Sequence, residues 1–138
     1  MIKKILVPVD GSDSAVKAAQ YACDIAKGCG ASIQFLYVSN VNQLAINACL
    51  SEAILDAVAK AGEEILDQAM GMVPEGIEKA AFSQSGSPAI TIMDFAEKEN
   101  SDLIVMGSRG LGVVKGVLLG SVSQYVAEQS KCPLLIVK

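Results

Sequence analysis

The chain has 138 residues, of which 51% are apolar and only 4% aromatic. This length and composition predict a single domain over residues 1–138 with an aliphatic core. The net charge of −4 argues against a nucleic acid as partner. The apolar runs are too short for a membrane span or a signal peptide, so we expect a cytoplasmic protein with no membrane partner.

The cysteines do not form a recognisable metal or redox motif. The chain has four cysteines and no histidine, and no two of the cysteines have CxxC spacing, so a zinc site would need ligands that the sequence does not cluster. Cys23 and Cys29 lie on or beside one apolar helix face. We therefore interpret them as small buried hydrophobic residues.

The chain begins with a predicted strand followed by an alanine-rich helix. The apolar residues 5–7 predict a buried strand that ends near Pro8, because proline cannot donate a hydrogen bond to a neighbouring strand. Ser12 or Asp13 is the expected N-cap of the helix, and glycines at 28 and 30 end it. One face of this helix consists of small residues that allow close packing on a sheet. They are Ala15, Ala18, Ala19, Ala22 and Ala26.

The middle of the chain predicts two further strands and a second helix. Residues 32–38 predict the second strand, and residues 77–84 a weaker third strand near a sheet edge. The helix between them begins somewhere between Leu44 and Ser51 and ends by Gly71. Its expected inward face consists of Ile54, Val58, Ala61, Ile65 and Ala69.

The last part of the chain repeats the alternation of helix and strand. Ser87-Pro88 predicts a helix start, and residues 103–106 a strand buried on both faces. A glycine-rich stretch then leads into a helix over about residues 121–130, with an apolar stripe of Val122, Tyr125 and Val126. Residues Pro133–Val137 predict a fifth strand. This order predicts an α/β fold, an open parallel five-stranded sheet with helices on both faces and right-handed crossovers.

The glycine-rich stretch after the fourth strand is the main candidate for a binding site. Its glycines leave backbone N–H groups uncovered, and the following helix start adds unpaired donors, a combination that suits phosphate. It matches neither a Walker A loop nor a dinucleotide fingerprint, because no Gly-Lys-Ser/Thr ends it and Lys115 occupies the third glycine position. The structural alternative is a mobile connecting loop, but long structureless loops are uncommon unless they are functional.

The glycine spacing identifies the chain as similar to a known family. Gly107, two residues, Gly110, nine residues and Gly120-Ser121 reproduce the nucleotide-binding signature of the universal stress protein family. The resemblance covers essentially the whole chain and is closest to the ATP-binding subclass. It implies a Rossmann-like sheet of the adenine nucleotide alpha hydrolase type with strand order 3-2-1-4-5. It also implies ATP with Mg²⁺ or Mn²⁺ as ligand and a homodimer joined through Pro133–Val137.

The residues expected at the nucleotide come from the ends of three strands and the start of the last helix. They are Pro8, Val9, Asp10, Val38, Met106, Gly107, Arg109, Gly110, Gly120, Ser121, Val122 and Ser123. Asp10 can accept a ribose hydroxyl or help to hold a metal, or it can simply stabilise a turn. Ser121 fits a phosphate contact, but with Gln124 it also fits a capping box. Arg109 and Lys115 are weaker phosphate candidates, and Ser123 is a second hydroxyl candidate.

Three functions remain open at this point. The first is an ATP-dependent sensor or switch with slow or no hydrolysis, since no histidine is present and no acidic residue occurs between Leu103 and Glu128 to act as a base. The second is an adenylating enzyme of the pyrophosphatase-loop class, from whose Ser-Gly-Gly-x-Asp-Ser loop residues 10–14 depart at key positions. The third is a nucleotide-free dimerisation module, against which the intact glycine signature argues.

Overall fold

The structure is a computed structural model that describes residues 1–40, 51–110 and 119–138. In chain order the described elements are β1 (Lys4–Pro8), α1 (Asp13–Cys29), β2 (Ser32–Ser39), α2 (Glu52–Gly71), β3 (Lys79–Ser85), α3 (Pro88–Lys98), β4 (Leu103–Gly107), α4 (Ser121–Gln129) and β5 (Leu134–Val137). None of the helices in these ranges is both long and apolar enough to cross a membrane.

The five strands form one parallel sheet in the order β3-β2-β1-β4-β5. This confirms the predicted fold class and strand order. Leu6 of β1 pairs with Gln34 of β2 on one side and with Ile104 of β4 on the other. The chain moves outward in one direction from β1 to β3 and then returns to the opposite side of β1 with β4. The order therefore reverses between β1 and β4, where ligands of such sheets usually bind.

The helices cover both faces of the sheet and bury two aliphatic clusters. On one face α1 and α2 pack against side chains such as Phe35 and Val105. On the other face α3 and α4 pack against Leu6 and Ile104, and Phe95 of α3 is part of the same cluster. Most of these side chains are fully shielded from solvent. Burial of each apolar side chain of this size stabilises the fold by about 1.5–3 kcal/mol.

Helix α1 agrees with its sequence pattern at both ends and along its buried face. Ser12 is the N-cap, and its side chain accepts a hydrogen bond from the Ala15 amide. Gly30 ends the helix in the left-handed region with φ of 73°, and its N–H donates to the carbonyl of Ala26. The five alanines predicted to face the sheet are all buried. Their small size brings the helix backbone close to the strands.

Helix α2 buries only part of the predicted face: Ala69 is buried and Val58 and Ile65 are half-buried, but the other two residues are not. Ile54 is 47% exposed and Ala61 is also exposed, whereas Gly62 is buried. An ideal Cβ on Gly62 would lie 2.6 Å from a ring carbon of Tyr37. The helix therefore turns its glycine towards β2, because only a residue without a side chain leaves room for this ring. Ser51 is the N-cap, and the rest of the predicted starting range lies outside the described residues.

Two other predictions about buried residues were wrong. Tyr125 is 44% exposed, and Ser123 takes the inward position on α4 because its hydroxyl is satisfied by backbone carbonyls there. Cys23 is buried as expected, but Cys29 is exposed at the end of α1. Burial raises the pKa of the Cys23 thiol, with the charge of Asp24 adding to the effect.

Candidate functional site

A cleft of about 350 Å³ opens at the carboxyl ends of β1 and β4, where the strand order reverses. We call it the switch-point cleft. All twelve residues predicted to contact a nucleotide line it: Pro8, Val9 and Asp10 after β1, Val38 in β2, Met106, Gly107, Arg109 and Gly110 at the end of β4, and Gly120, Ser121, Val122 and Ser123 at the start of α4. The structure thus brings these residues together, while their contact with a ligand stays a prediction.

The switch-point cleft is also lined by five residues that were not predicted from the sequence. They are Ser12, Ala15, Leu36, Pro88 and Ile92. Leu36 precedes Val38 by two positions and so shares its face of β2. Pro88 begins α3 directly after β3, at the carboxyl edge of the parallel sheet. The strand periodicity could therefore have predicted Leu36, and the predicted helix start could have predicted Pro88.

Asp10 occupies the turn between β1 and α1. Its Oδ1 accepts a hydrogen bond of 2.9 Å from the Ser12 amide, so the turn-stabilising interpretation of Asp10 is correct. The second carboxylate oxygen faces Gly110, because an ideal Cβ on that glycine would lie 3.2 Å from Oδ2. A carboxylate can accept several hydrogen bonds. The turn therefore leaves Asp10 with acceptor capacity towards the cleft.

Ser108 connects β4, β5 and α4 at one side of the cleft. Its amide donates to the Val137 carbonyl at 2.8 Å, and its own carbonyl accepts the Gly120 amide at 2.6 Å. The Ser123 hydroxyl donates to the same carbonyl at 2.8 Å. These bonds fix where the glycine-rich stretch leaves β4 and where it enters α4. Gly112, Lys115 and Gly116, between these two points, lie outside the described residues.

The start of α4 differs from the predicted capping box. Gly120 is the N-cap, and Ser121 is the first helical residue. Gln124 uses its side-chain amide on Glu128, at 3.3 Å, instead of on the helix start. The hydroxyl of Ser121 is consequently not used as a cap and lies exposed at the cleft. The capping-box interpretation was wrong, because no side chain caps the start of this helix.

The hydroxyl of Ser123, the other predicted phosphate contact, already donates a hydrogen bond within the protein. It is only 2% exposed, and besides the Ser108 carbonyl it lies 3.1 Å from the carbonyl of Gly120. A hydroxyl has a single proton, so donation to one of these carbonyls leaves only its lone pairs for other groups. A bound anion would therefore meet the backbone amide of Ser123, not its hydroxyl proton.

The signature glycines are required for different reasons. An ideal Cβ on Gly107 would lie 2.7 Å from the carbonyl carbon of Ser14, which backbone packing forbids. A Cβ on Gly120 would be 3.4 Å from the Ser108 carbonyl oxygen and 3.5 Å from the Gly110 nitrogen, which is ordinary contact. Gly107 is thus explained by packing of α1 on β4. Gly120 is not, and its missing side chain leaves the Gly110 amide uncovered.

The walls of the switch-point cleft divide into an apolar and a polar part. Val9, Leu36, Val38, Ile92 and Met106 form the apolar part. The polar part lies at the α1 turn and the α4 N-terminus, and among the described lining residues Asp10 and Arg109 are the only charged ones. The first amides of a helix lack intrahelical partners, and the helix dipole favours negative charge there. The arrangement of the cleft walls thus suits a ligand with one apolar and one anionic end.

Sequence comparison assigns the chain to a family. The family model of the universal stress proteins matches residues 1–138. The chain belongs to the universal stress protein family. Universal stress protein MJ0531 of Methanocaldococcus jannaschii is 38% identical over 141 aligned residues, which cover all of this chain and 83% of that protein.

Solved structures of similar proteins agree with this assignment. The structure of hypothetical protein MJ0577 superposes on this universal stress protein with a TM-score of 0.80 and 28% identity, covering 100% of this chain and 96% of that one. A universal stress protein in complex with cAMP superposes with a TM-score of 0.69 and 27% identity, covering 99% and 96% of the two chains. The five-stranded sheet order described above is the fold of this family.

Proposed function

We propose that this universal stress protein binds ATP together with Mg²⁺ or Mn²⁺ in the switch-point cleft. The protein then acts as a nucleotide-dependent sensor or switch in a stress response, with slow or no hydrolysis. The observation that carries the proposal is the position of the α4 N-terminus, capped by Gly120, directly beside the Gly110 amide at the reversal of the sheet. The complex of a relative with cAMP supports an adenine nucleotide as the class of ligand.

The phosphates would occupy the polar part of the cleft. Among the described residues, no carbonyl or side chain accepts a hydrogen bond from the Gly110 amide. The first-turn amides of α4, beginning at Ser121, also lack partners within the helix. Several such donors converging with a helix dipole are the usual protein environment of a phosphate group. The hydroxyl of Ser121 is available as a further donor.

The nucleoside would occupy the apolar part. Val38 of β2, which is only half-buried, offers aliphatic surface for the flat face of a base, and Leu36 and Ile92 lie buried beneath the same part of the cleft. Asp10 belongs to the polar part of the cleft, and its Oδ2 is directed at Gly110. The ribose of a nucleotide lies between its base and its phosphates. A carboxylate oxygen at this place can accept a hydrogen bond from a ribose hydroxyl. The volume of about 350 Å³ lies within the common range for small-molecule sites.

A divalent ion would be held mainly by the nucleotide. Within the described ranges the structure has no group of three or more metal-ligating side chains, and Asp10 is the only carboxylate among the described cleft residues. Mg²⁺ commonly uses one or two protein carboxylates together with substrate phosphates and water. These residues therefore fit a metal that arrives with ATP and is held by one side chain at most.

Calorimetric titration with four ligands tests the proposal. Adenosine, AMP, cAMP and ATP with Mg²⁺ share the base and ribose and differ in their phosphates. If the α4 amides bind a polyphosphate, ATP should bind at least tenfold more tightly than AMP or cAMP, which corresponds to about 1.4 kcal/mol. Tighter binding of cAMP than of ATP would instead indicate a cyclic-nucleotide receptor, the second candidate that the relative's ligand favours.

The remaining alternatives are separated by two simpler assays. A nucleotide-free dimerisation module would show no rise in melting temperature at millimolar ATP, because only a ligand that binds the folded state stabilises it. An adenylating enzyme would release pyrophosphate in the presence of an acceptor. We expect a rise in melting temperature and no pyrophosphate.

Slow hydrolysis is expected from the chemistry of the cleft. The chain has no histidine, and the only described carboxylate in the cleft, Asp10, already accepts a hydrogen bond from its own turn. Among the described lining residues Arg109 is the only cation that could stabilise developing charge. Fast phosphoryl transfer needs a positioned nucleophile, metal-held phosphates and cations together. A turnover of about 1 per second or faster, the lower end for kinases, would contradict the sensor proposal.

A further inference from the structure

The N-terminus of α1 holds the backbone of the glycine-rich stretch at Arg109. The Ser14 hydroxyl donates a hydrogen bond of 2.6 Å to the Arg109 carbonyl. The Arg109 amide donates to the same hydroxyl oxygen at 3.4 Å. Ser14 therefore satisfies both backbone polar groups of a residue 95 positions away. A longer bond of 3.4 Å from the Ser12 hydroxyl reaches the same carbonyl.

This contact fixes the orientation of the next peptide group. The described residues contain no cis peptide bond, and in a trans peptide the C=O and N–H groups point in opposite directions. The Arg109 carbonyl points towards α1, so the Gly110 N–H points away from α1. The Gly110 nitrogen lies 3.5 Å from where a Cβ of Gly120 would be, which places this N–H group next to the N-terminus of α4.

The opposite orientation of the peptide between Arg109 and Gly110 would disfavour anion binding beside α4. Glycine permits backbone conformations that other residues avoid, so the peptide between Arg109 and Gly110 has little intrinsic preference against rotation. If the peptide rotated by half a turn, a carbonyl oxygen would replace the N–H group beside α4 and repel an anion. Ser14 opposes this rotation. In the rotated state the Ser14 proton would lose its acceptor, the Arg109 carbonyl, and with it the 2.6 Å hydrogen bond.

We infer that Ser14 is a positioning residue that keeps the Gly110 N–H directed towards the phosphates of the bound nucleotide. The inference rests on the proposed function for its ligand, but the peptide orientation itself does not depend on one. Ser14 does not line the switch-point cleft. Ser14 acts through its hydrogen bonds to the Arg109 backbone. Ser14 can lie this close to β4 because residue 107 is a glycine, and a side chain at that position would collide with Ser14.

The test compares two variants of equal shape, Ser14→Thr and Ser14→Val. Both carry the same extra methyl group, and only the threonine variant keeps the hydroxyl. In Ser14→Val a methyl group replaces the hydroxyl and cannot approach the Arg109 carbonyl to 2.6 Å, so this variant both removes the hydrogen bond and displaces the carbonyl. ATP should bind to Ser14→Val about tenfold more weakly than to Ser14→Thr, the typical effect of a hydrogen bond near a charged group. Adenosine should bind equally to both variants, because it has no phosphate. Equal ATP affinities would overturn the inference, and so would an equal loss of adenosine binding.

A second measurement needs no nucleotide. The NOE between the Arg109 Hα and the Gly110 amide proton changes when the peptide plane rotates. Its intensity should be the same in the wild type and Ser14→Thr and should change in Ser14→Val. The same intensity in all three proteins would overturn the inference even if ATP binds. If ATP does not bind to the wild type, the proposed function fails, and this measurement alone decides whether Ser14 sets the peptide orientation.

Discussion

Gly107 of β4 and Ser14 of α1 approach each other so closely that a Cβ on the glycine would lie 2.7 Å from the Ser14 carbonyl carbon and 2.8 Å from the Ala15 nitrogen. Both atoms belong to the helix backbone and cannot move without shifting α1. The first glycine of the nucleotide-binding signature is therefore a packing requirement. It allows α1 to sit against β4 with its hydroxyl groups at the glycine-rich stretch.

Replacing Gly107 by alanine should destabilise the protein. The new methyl group must displace the first turn of α1, and overpacking of this kind typically costs about 1–3 kcal/mol. Chemical denaturation should show a lower midpoint with little change in slope. Gly28→Ala is the matched control, because a Cβ there meets nothing within 4 Å and alanine favours the helix by about 0.5–1 kcal/mol. Equal stabilities of the two variants would contradict the packing explanation.

Replacing Gly120 by valine should abolish ATP binding while the fold remains intact. The backbone of Gly120 has φ of −68° and ψ of 164°, an extended conformation that valine accepts. Its side chain would cover the Gly110 amide, which lies 3.5 Å from the Cβ position. Titration calorimetry and circular dichroism check the two parts of the prediction. A folded Gly120→Val protein with unchanged ATP affinity would refute the placement of the phosphates.

A homodimer through β5 is the assembly that we propose. The strand Leu134–Val137 is apolar throughout and lies at one edge of the sheet, where an uncovered apolar strand favours pairing with a second copy. Ile136→Asp should shift sedimentation at micromolar concentration from dimer to monomer. Ser83→Asp places the same charge on β3, the other edge strand, and should leave the dimer intact. A wild-type monomer would rule out this assembly.

Asp102 should stabilise the protein in a pH-dependent manner. It accepts hydrogen bonds from the amides of Lys3 and Lys4 at 2.9 Å and 3.0 Å, which lower the pKa of its carboxyl below 3.8. A lowered folded-state pKa means that the ionised form stabilises the fold above pH 3.8, and that this contribution is lost as the pH falls through the lower value.

Asp102→Asn keeps an acceptor oxygen and removes only the charge. Its melting temperature should lie below that of the wild type at neutral pH, and the two curves should converge below pH 3.8. Asp67→Asn, which neutralises an exposed carboxylate on α2, serves as the control for a general charge effect. A difference between wild type and Asp102→Asn that is the same at pH 3 and pH 7 would show that the hydrogen-bonded charge is not responsible.

The sequence by itself determined the fold and the edge of the sheet at which the candidate site lies. Strand and helix periodicities are local, and the five alanines of α1 leave only one face that can pack closely on a sheet. Parallel strands place all their carboxyl ends at one edge of the sheet. The strand order that makes β1 and β4 neighbours was implied by the family resemblance, and the structure confirms it. The glycine spacing between Gly107 and Ser121 then marked the same edge.

The tertiary structure alone decided which of several locally acceptable arrangements occurs. Helix α2 has more apolar residues than one face can bury. Gly62, and not Ala61, faces the sheet because the ring of Tyr37 leaves no room for a side chain there. Local sequence favoured Ser121 as the cap of α4, but the hydrogen bonds from Gly120 and Ser123 to the Ser108 carbonyl place Gly120 in that position. The contact between Ser14 and Arg109 joins residues 95 positions apart. Such choices depend on side chains that meet only after the sheet has assembled, and local sequence carries no signal for them.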